Sequence, residues 1–181
     1  MSSLDKNLAN REQMLTRLRA EIVGPDPAGK PVSLASALRV VVDSHLRTPT
    51  TAKILQGGCL IATAETDAEK KAALSAAGAE VVCLSDANGR VDLKALLEFL
   101  AQRGINEVHV EAGPRLSGIF LKVGLVDELL CYMAPCVLGS DARGWFDDLA
   151  LISLDQKIEL KFQDVRMIGS DLRIIARPSS G

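Results

Sequence analysis

Only two histidines, His45 and His109, occur in the 181 residues, far apart and with no cysteine spaced beside either. The four cysteines, Cys59, Cys83, Cys131 and Cys136, form no CxxC pair, so the clustered ligands of a zinc site are missing and no metal is expected. Three of them lie inside apolar runs such as VVCL and LLCYM, which makes them read as buried thiols of a reducing compartment. No stretch reaches the roughly 18 uninterrupted apolar residues of a spanning helix, and the start, MSSLDKNLAN, has no apolar signal-like run. The expectation is a cytoplasmic protein without a membrane partner.

Bulk charge is lacking as well. With 21 basic against 23 acidic residues, there is no electrostatic reason to expect nucleic acid or an anionic membrane as partner. No Ser-His-Asp order, paired catalytic carboxylates or Walker glycine loop is evident, so hydrolase and kinase readings have little support. No repeat, low-complexity tract or linker divides residues 38–181. With 48% hydrophobic residues, residues 1–181 read as a single domain able to bury a core and to serve a small-molecule ligand.

What is present is an alternation of short apolar runs with amphipathic segments, the pattern of an α/β fold. LRVVVD (38–43), CLIAT (59–63) and AEVVCL (79–84) each suit a strand buried on both faces. Between the last two, Thr66-Asp67 opens a helix and Gly78 stops it. Asp92 opens another whose leucines at 93, 96, 97 and 100 share a face, and Gly104 ends it. A strand at 105–111, a helix at 114–123 ending at Gly124, and an apolar strand in VDELLCYMAPCVLG follow. Two successive strand-helix-strand crossovers imply parallel strands covered by helices. Gly169-Ser170-Asp171 between two β-rich runs predicts an antiparallel hairpin at 158–177 that finishes the sheet. Earlier, residues 8–20 fit a helix, and Ile22-Val23 offers a short strand core before turn-forming residues.

Three clusters could carry chemistry. In VHVEAGPRLSGIFL, a strand ends at Glu111, a glycine turn follows and a helix begins at Pro114, which suits a first helical position. That arrangement is a generic phosphate cradle, and it equally fits a ligand-free corner. Glu111 stands at the carboxyl end of an expected central strand, where it could handle a ligand, cap neighbouring N–H groups or pair with Arg115. In VVDSHLRTP, Asp43, Ser44 and Arg47 follow the first clear strand and suit a phosphate monoester, or else simply form a turn. His45 reads as a surface residue. In PCVLGSDARGWF, Arg143 could reach an anion, with Trp145 and Phe146 anchoring the loop by packing.

The ordered series VVDSHLRTP, VEAGPRLSGIFL, GLVDEL, Y-M-AP and LGSDARG resembles the C-terminal reductase domain of the bacterial bifunctional riboflavin-biosynthesis deaminase/reductase, from about Leu38 to Arg177. The resemblance implies a dihydrofolate-reductase-like α/β fold, with a mostly parallel central sheet flanked by helices and a C-terminal antiparallel hairpin. It implies NADPH-dependent reduction of 5-amino-6-(5-phosphoribosylamino)uracil to 5-amino-6-(5-phosphoribitylamino)uracil by hydride transfer to the ribose C1′. Carried over by position, Ser44, Gly113, Pro114, Arg115, Leu116, Ser117, Gly118 and Ile119 would contact NADPH and Glu111 the substrate. A homodimer is also implied, and the β-rich edges of the terminal hairpin point the same way.

The front of the chain departs from this pattern. SSLD (2–5), REQMLTRLRAE (11–21), IVG (22–24) and Asp26-Pro27 resemble successive family pieces with short connections, so residues 1–37 read as an abbreviated N-terminal part with gaps near 5–8, 21–25 and 27–31. The deaminase's zinc signature, H-x-E with P-C-x-x-C, does not occur. The alternatives are another dihydrofolate-reductase-like NADPH reductase with a different substrate, or a non-catalytic fragment that keeps the dimer-forming sheet.

Overall fold

The computed structural model describes residues 17–21, 37–139, 141–147 and 149–179, the first of these segments by its backbone alone. Two compact units divide the chain, the first ending at Gly113 and the second beginning at Pro114.

The first unit is built on strands β1 (Arg17–Glu21), β2 (Leu38–Val42), β3 (Cys59–Thr63), β4 (Ala79–Cys83) and β5 (Glu107–Glu111), in the sheet order β4-β3-β2-β1-β5. Helix α1 (Ala68–Ala76) joins β3 to β4, and α2 (Leu93–Gln102) joins β4 to β5. The three β-branched runs form the strands their composition predicts, and β2, β3 and β4 pair in parallel. Both helices start as expected: the Asp67 carboxylate accepts from the Lys70 N–H at 3.1 Å and the Asp92 carboxylate from the Ala95 N–H at 3.0 Å, each replacing a missing first-turn partner. At the end of α2 the Ile105 N–H reaches back to the Leu100 carbonyl. This closing bond takes Ile105 out of the strand, so β5 begins at Glu107 rather than at 105.

The core of this unit gathers Val41, Leu46, Ile54, Leu55, Cys59, Ile61, Leu74 and Ala79. Val40 and Leu60 are also fully buried, and they have the opposite parity to Val41 and Ile61, so β2 and β3 bury both faces. Each such aliphatic side chain contributes about 1.5–3 kcal/mol by leaving water.

Four expectations need correction. Residues 17–20 are not helical: they belong to β1, which lies antiparallel between β2 and β5. The alternation Arg-Leu-Arg-Ala-Glu supports a strand as readily as a helix turn, and pairing on both sides satisfies two backbone ladders at once. The sheet is therefore mixed, and among the described residues β5 is bonded only to β1 rather than being central and parallel-paired. β4 is the strand at the sheet's other end, so Glu80 and Cys83 are exposed and it is not buried on both faces. Of the thiols, only Cys59 is buried; Cys131 is half-buried, and Cys83 and Cys136 are exposed, the latter in the loop after β6 (Leu129–Met133). The rest of the expected 8–20 helix, the Ile22-Val23 strand and all but the margin of the expected N-terminal gaps lie outside the described residues.

The second unit contains α3 (Pro114–Lys122), β6, β7 (Leu160–Ile168) and β8 (Asp171–Pro178). The β7–β8 hairpin turns at Gly169-Ser170 as predicted. It does not join the first sheet but forms a three-stranded antiparallel sheet with β6, in the order β6-β8-β7. A bulge between Phe162 and Asp164 keeps Leu160, Phe162, Val165 and Met167 on one face, opposite Pro178, Ala176, Ile174 and Leu172. Leu129, Cys131 and Met133 oppose the last three of these, making that face wholly apolar. Among the described residues no helix is long and apolar enough to cross a membrane.

Candidate functional site

The loop after β2 is held by its own acid. Buried Asp43 accepts from both the backbone N–H and the hydroxyl of Thr48, each at 2.7 Å, and its carbonyl accepts from the Leu46 N–H. Leu46 occupies the left-handed region at φ 49° while its side chain is buried in the core. For a leucine that backbone is unfavourable by about 1 kcal/mol or more, and it persists because the surrounding bonds determine it. Burial pushes the Asp43 pKa upward, but the bonds from Thr48 and from the backbone N–H groups of Arg47, Thr48 and His45 outweigh it and hold the carboxyl below its ordinary value. The turn reading of Asp43 is thus correct. Arg47 and His45 are exposed.

Ser44 is fixed by partners far away in sequence. Its hydroxyl accepts from the Val91 N–H at 3.1 Å, and its carbonyl accepts from the Ala64 N–H and, at 3.3 Å, from the Thr63 hydroxyl. Thr63, fully buried, in turn accepts from the Glu65 N–H. A hydroxyl has one proton and two lone pairs. Among the described residues none accepts the Ser44 proton, so a donor stands ready at the carboxyl end of β2. Sequence reading singles out Ser44 but neither Thr63 nor the turn before Val91, although Asp-Ala-Asn-Gly (86–89) is a turn signature.

Glu111 ends β5 and is exposed, with no ion-pair or hydrogen-bond partner for its carboxylate among the described residues. At an exposed position hydration serves a carboxylate that has no protein partner. The sheet register relates it to Ser44. Val41 and Glu111 both stand opposite Arg17 of β1, one on each side, so β2 and β5 run the same way and end together. Two strand spacings put these ends roughly 10 Å apart, and the Ser44 loop and Glu111 share one end of the sheet.

In the second unit, α3 starts at Pro114 and has no acidic residue in its first turn, leaving the N-terminal N–H groups without a carboxylate of their own helix. Arg115 is exposed, Leu116, Ser117 and Ile119 are half-buried, and Gly118 is buried. The segment after Arg143 reaches this helix: the Asp147 N–H donates to the Pro114 carbonyl at 3.0 Å. A Cβ added at Gly118 would lie 1.9 Å from the Asp147 carbonyl oxygen, so glycine is required there by chain packing. Trp145 is 53% exposed and Phe146 half-buried, so it is the Asp147 backbone rather than Trp145 that fastens this loop. Arg143 is exposed. Among the described residues no three His, Cys, Asp or Glu side chains gather as a metal site would require.

Comparison with known proteins places the chain among families of known name. A family model described as the RibD C-terminal domain matches residues 7–174, taking in the front of the chain as well as the part from Leu38 onward. The riboflavin biosynthesis protein RibD of Escherichia coli (strain K12) is 34% identical over 142 residues, 77% of this chain and 38% of that protein. The 5-amino-6-(5-phosphoribosylamino)uracil reductase of Buchnera aphidicola subsp. Acyrthosiphon pisum (strain APS) is 31% identical over 141 residues, 78% of this chain and 67% of that protein. Among solved structures, Acinetobacter baumannii RibD, form 1, superposes with a TM-score of 0.67 at 29% identity, covering 83% of this chain and 41% of that one. The chain thus spans well under half the length of the RibD proteins it matches. With a match running from residue 7 to residue 174, the chain belongs to the RibD C-terminal domain family.

Proposed function

We propose that the chain is an NADPH-dependent reductase of riboflavin biosynthesis that converts 5-amino-6-(5-phosphoribosylamino)uracil to 5-amino-6-(5-phosphoribitylamino)uracil, as a single domain of the dihydrofolate-reductase-like class. The observation that carries this reading is the shared register of Val41 and Glu111 on Arg17. It sets a ready hydroxyl donor and an exposed carboxylate at one end of the sheet, as a site for two ligands side by side requires.

The residues fit an anionic dinucleotide. NADPH presents phosphate oxygens, which accept; in the first unit the Ser44 hydroxyl has no acceptor for its proton among the described residues, and in the second, taken by itself, the first turn of α3 has no acidic side chain to repel an anion. Ser44 in the first unit, and Gly113 with the α3 residues Pro114, Arg115, Leu116, Ser117, Gly118 and Ile119, are the proposed cofactor contacts. Glu111 is the proposed substrate contact: a carboxylate accepts hydrogen bonds, and the aminouracil and ribose carry N–H and O–H donors. When bound, NADPH supplies the hydride to the ribose C1′; the chain's own part is to orient the two ligands. As C1′ gained the hydride, its bond to the ring oxygen would open and that oxygen would take a proton from solvent, so this reading assigns no acid–base pair.

The test uses the purified full chain with NADPH and substrate. The expected result is saturable NADPH binding and NADPH consumption that depends on substrate. Gly113→Val should weaken NADPH binding far more than Glu111→Gln, whereas Glu111→Gln should lower turnover at saturating cofactor. A full chain that does not bind NADPH in a direct titration would overturn the reading and favour a non-catalytic role.

A homodimer belongs to the same proposal. The apolar face of the β6-β8-β7 sheet leaves Phe162 64% and Met167 60% exposed, and a contiguous apolar face of this kind marks an interaction surface. A second copy of this chain is the occupant proposed, because the face belongs to a short antiparallel sheet whose outer strand β7 offers a free ladder for a symmetric neighbour.

A further inference from the structure

The connection from β6 to β7, residues 134–159, is far longer than the roughly 12–15 residues beyond which a connection without its own strand or helix becomes uncommon outside binding loops. Register fixes its course. Met133 ends β6 opposite Leu172, whereas Leu160 begins β7 opposite Pro178, so the connection travels the length of the three-stranded sheet. It is organised locally: the Ile152 N–H donates to the Gln156 side-chain oxygen at 2.9 Å, Leu154–Gln156 forms a short helical turn, and Ala150 takes left-handed backbone at φ 52°. This order does not come from burial. Val137 is 96%, Ile152 90% and Leu154 85% exposed, and Leu138 and Leu151 are exposed as well, in two stretches, 133–139 and 149–154, that carry no charge. The same connection holds α3. The Asp147 N–H donates to the Pro114 carbonyl, the one backbone bond between described residues that leaves residues 134–157, and the Asp147 carbonyl lies against Gly118. Both contacts fall at the start of α3, whose first turn the reading above gives to the cofactor.

We propose that residues 137–154 are an arm that docks on a second copy of this chain, and that docking keeps the first turn of α3 in the arrangement that binds NADPH. The inference rests on the reductase reading and adds to it a docking segment and a coupling between association and cofactor affinity. Three observations select a second copy as the occupant. The arm leaves β6 after Met133 and enters β7 at Leu160, both residues of the apolar sheet face, so arm and face are joined at both ends. Their exposed apolar side chains together offer an area of the order of the roughly 800 Å² a side that a stable interface covers. The uncharged stretches let a two-fold copy meet its own like without repulsion. The coupling follows from how the arm is held. One backbone hydrogen bond is a weak tether for so long a segment. A partner that buries Val137, Ile152 and Leu154 pins the arm and keeps Asp147 on Pro114 and Gly118. The chain then takes the cofactor without first ordering this segment, and its apparent affinity rises with the fraction already ordered.

The test follows the full chain by sedimentation and by NADPH titration, at protein concentrations that bracket dissociation of the dimer. The dimer should bind NADPH about tenfold more tightly than the separated chain, the size of an ordinary coupling between sites, and by reciprocity each NADPH bound should tighten the dimer by the same factor. Ile152→Glu combined with Leu154→Glu alters two exposed side chains, so the circular dichroism of the wild type should be kept. This arm variant should sediment as a monomer and bind NADPH about tenfold more weakly at every concentration. Phe162→Glu, which separates the copies from the sheet face, should show the same weakened affinity with the arm sequence intact. The inference is overturned if the arm variant stays dimeric, if the monomeric variants bind NADPH as tightly as the wild type, or if NADPH leaves association unchanged. A wild type that is monomeric throughout, yet binds NADPH and reduces substrate, would remove this inference and leave the reductase reading standing. A dimeric wild type that binds no NADPH would remove the reductase reading and the coupling with it, while sedimentation of the arm variant still decides the docking surface.

Discussion

Replacing Asp43 by alanine should loosen the loop that carries Ser44, and the size of the effect follows from its contacts. The substitution deletes the acceptor of two bonds at 2.7 Å, from the N–H and hydroxyl of Thr48, and leaves both donors in a residue only 4% exposed. A hydrogen bond to a charged group contributes about 1.5–3 kcal/mol net, and two sharing one oxygen are not additive, so a loss of about 3 kcal/mol is expected. Leu46 would lose the turn that holds its left-handed backbone, adding to the same loss. With a urea slope of about 2 kcal/mol/M, the unfolding midpoint should fall by about 1.5 M at neutral pH. The pH dependence has a definite sign. The folded-state pKa of Asp43 lies below its unfolded value, so its contribution is full above about pH 4 and is lost as pH falls through the folded value. The gap between wild type and Asp43→Ala should be constant from about pH 5 to 8 and shrink below about pH 4. Asp43→Asn, which keeps one neutral acceptor, should fall between the two. Equal midpoints at pH 7, or a gap that widens on acidification, would refute the reasoning.

Two further outcomes follow from the second unit. Gly118→Ala places a methyl group 1.9 Å from the Asp147 carbonyl oxygen, so the loop must move. A Tm lower by roughly 5 °C is expected from about 2 kcal/mol of overpacking, and an unchanged Tm would mean that the loop yields freely. Phe162→Glu puts a charge on the apolar face of the β6-β8-β7 sheet and should turn a dimer into a monomer of the chain's 19.3 kDa. A wild type that already sediments as a monomer at micromolar concentration would remove the proposed dimer.

The sequence by itself determined the elements whose signals are local. The β-branched runs became β2, β3 and β4, Asp67 and Asp92 capped their helices through bonds three residues ahead, and Gly169-Ser170 turned the hairpin. Such signals span a few residues and act before distant parts of the chain meet. The ordered motifs likewise pointed to Ser44, Glu111 and the 113–119 segment. Tertiary structure decided the rest. The Arg17–Glu21 segment fits either a helix turn or a strand by composition, and the two ladders on either side of it made it a strand. The same pairing moved β5 away from the parallel neighbours expected for it and brought Glu111 to the Ser44 end of the sheet. The orientation of the Ser44 hydroxyl depends on a backbone N–H 47 residues away, and the need for glycine at 118 depends on the Asp147 carbonyl. Neither follows from composition or periodicity, because a hydrogen-bond partner or a close backbone approach exists only once the chain has been brought back on itself.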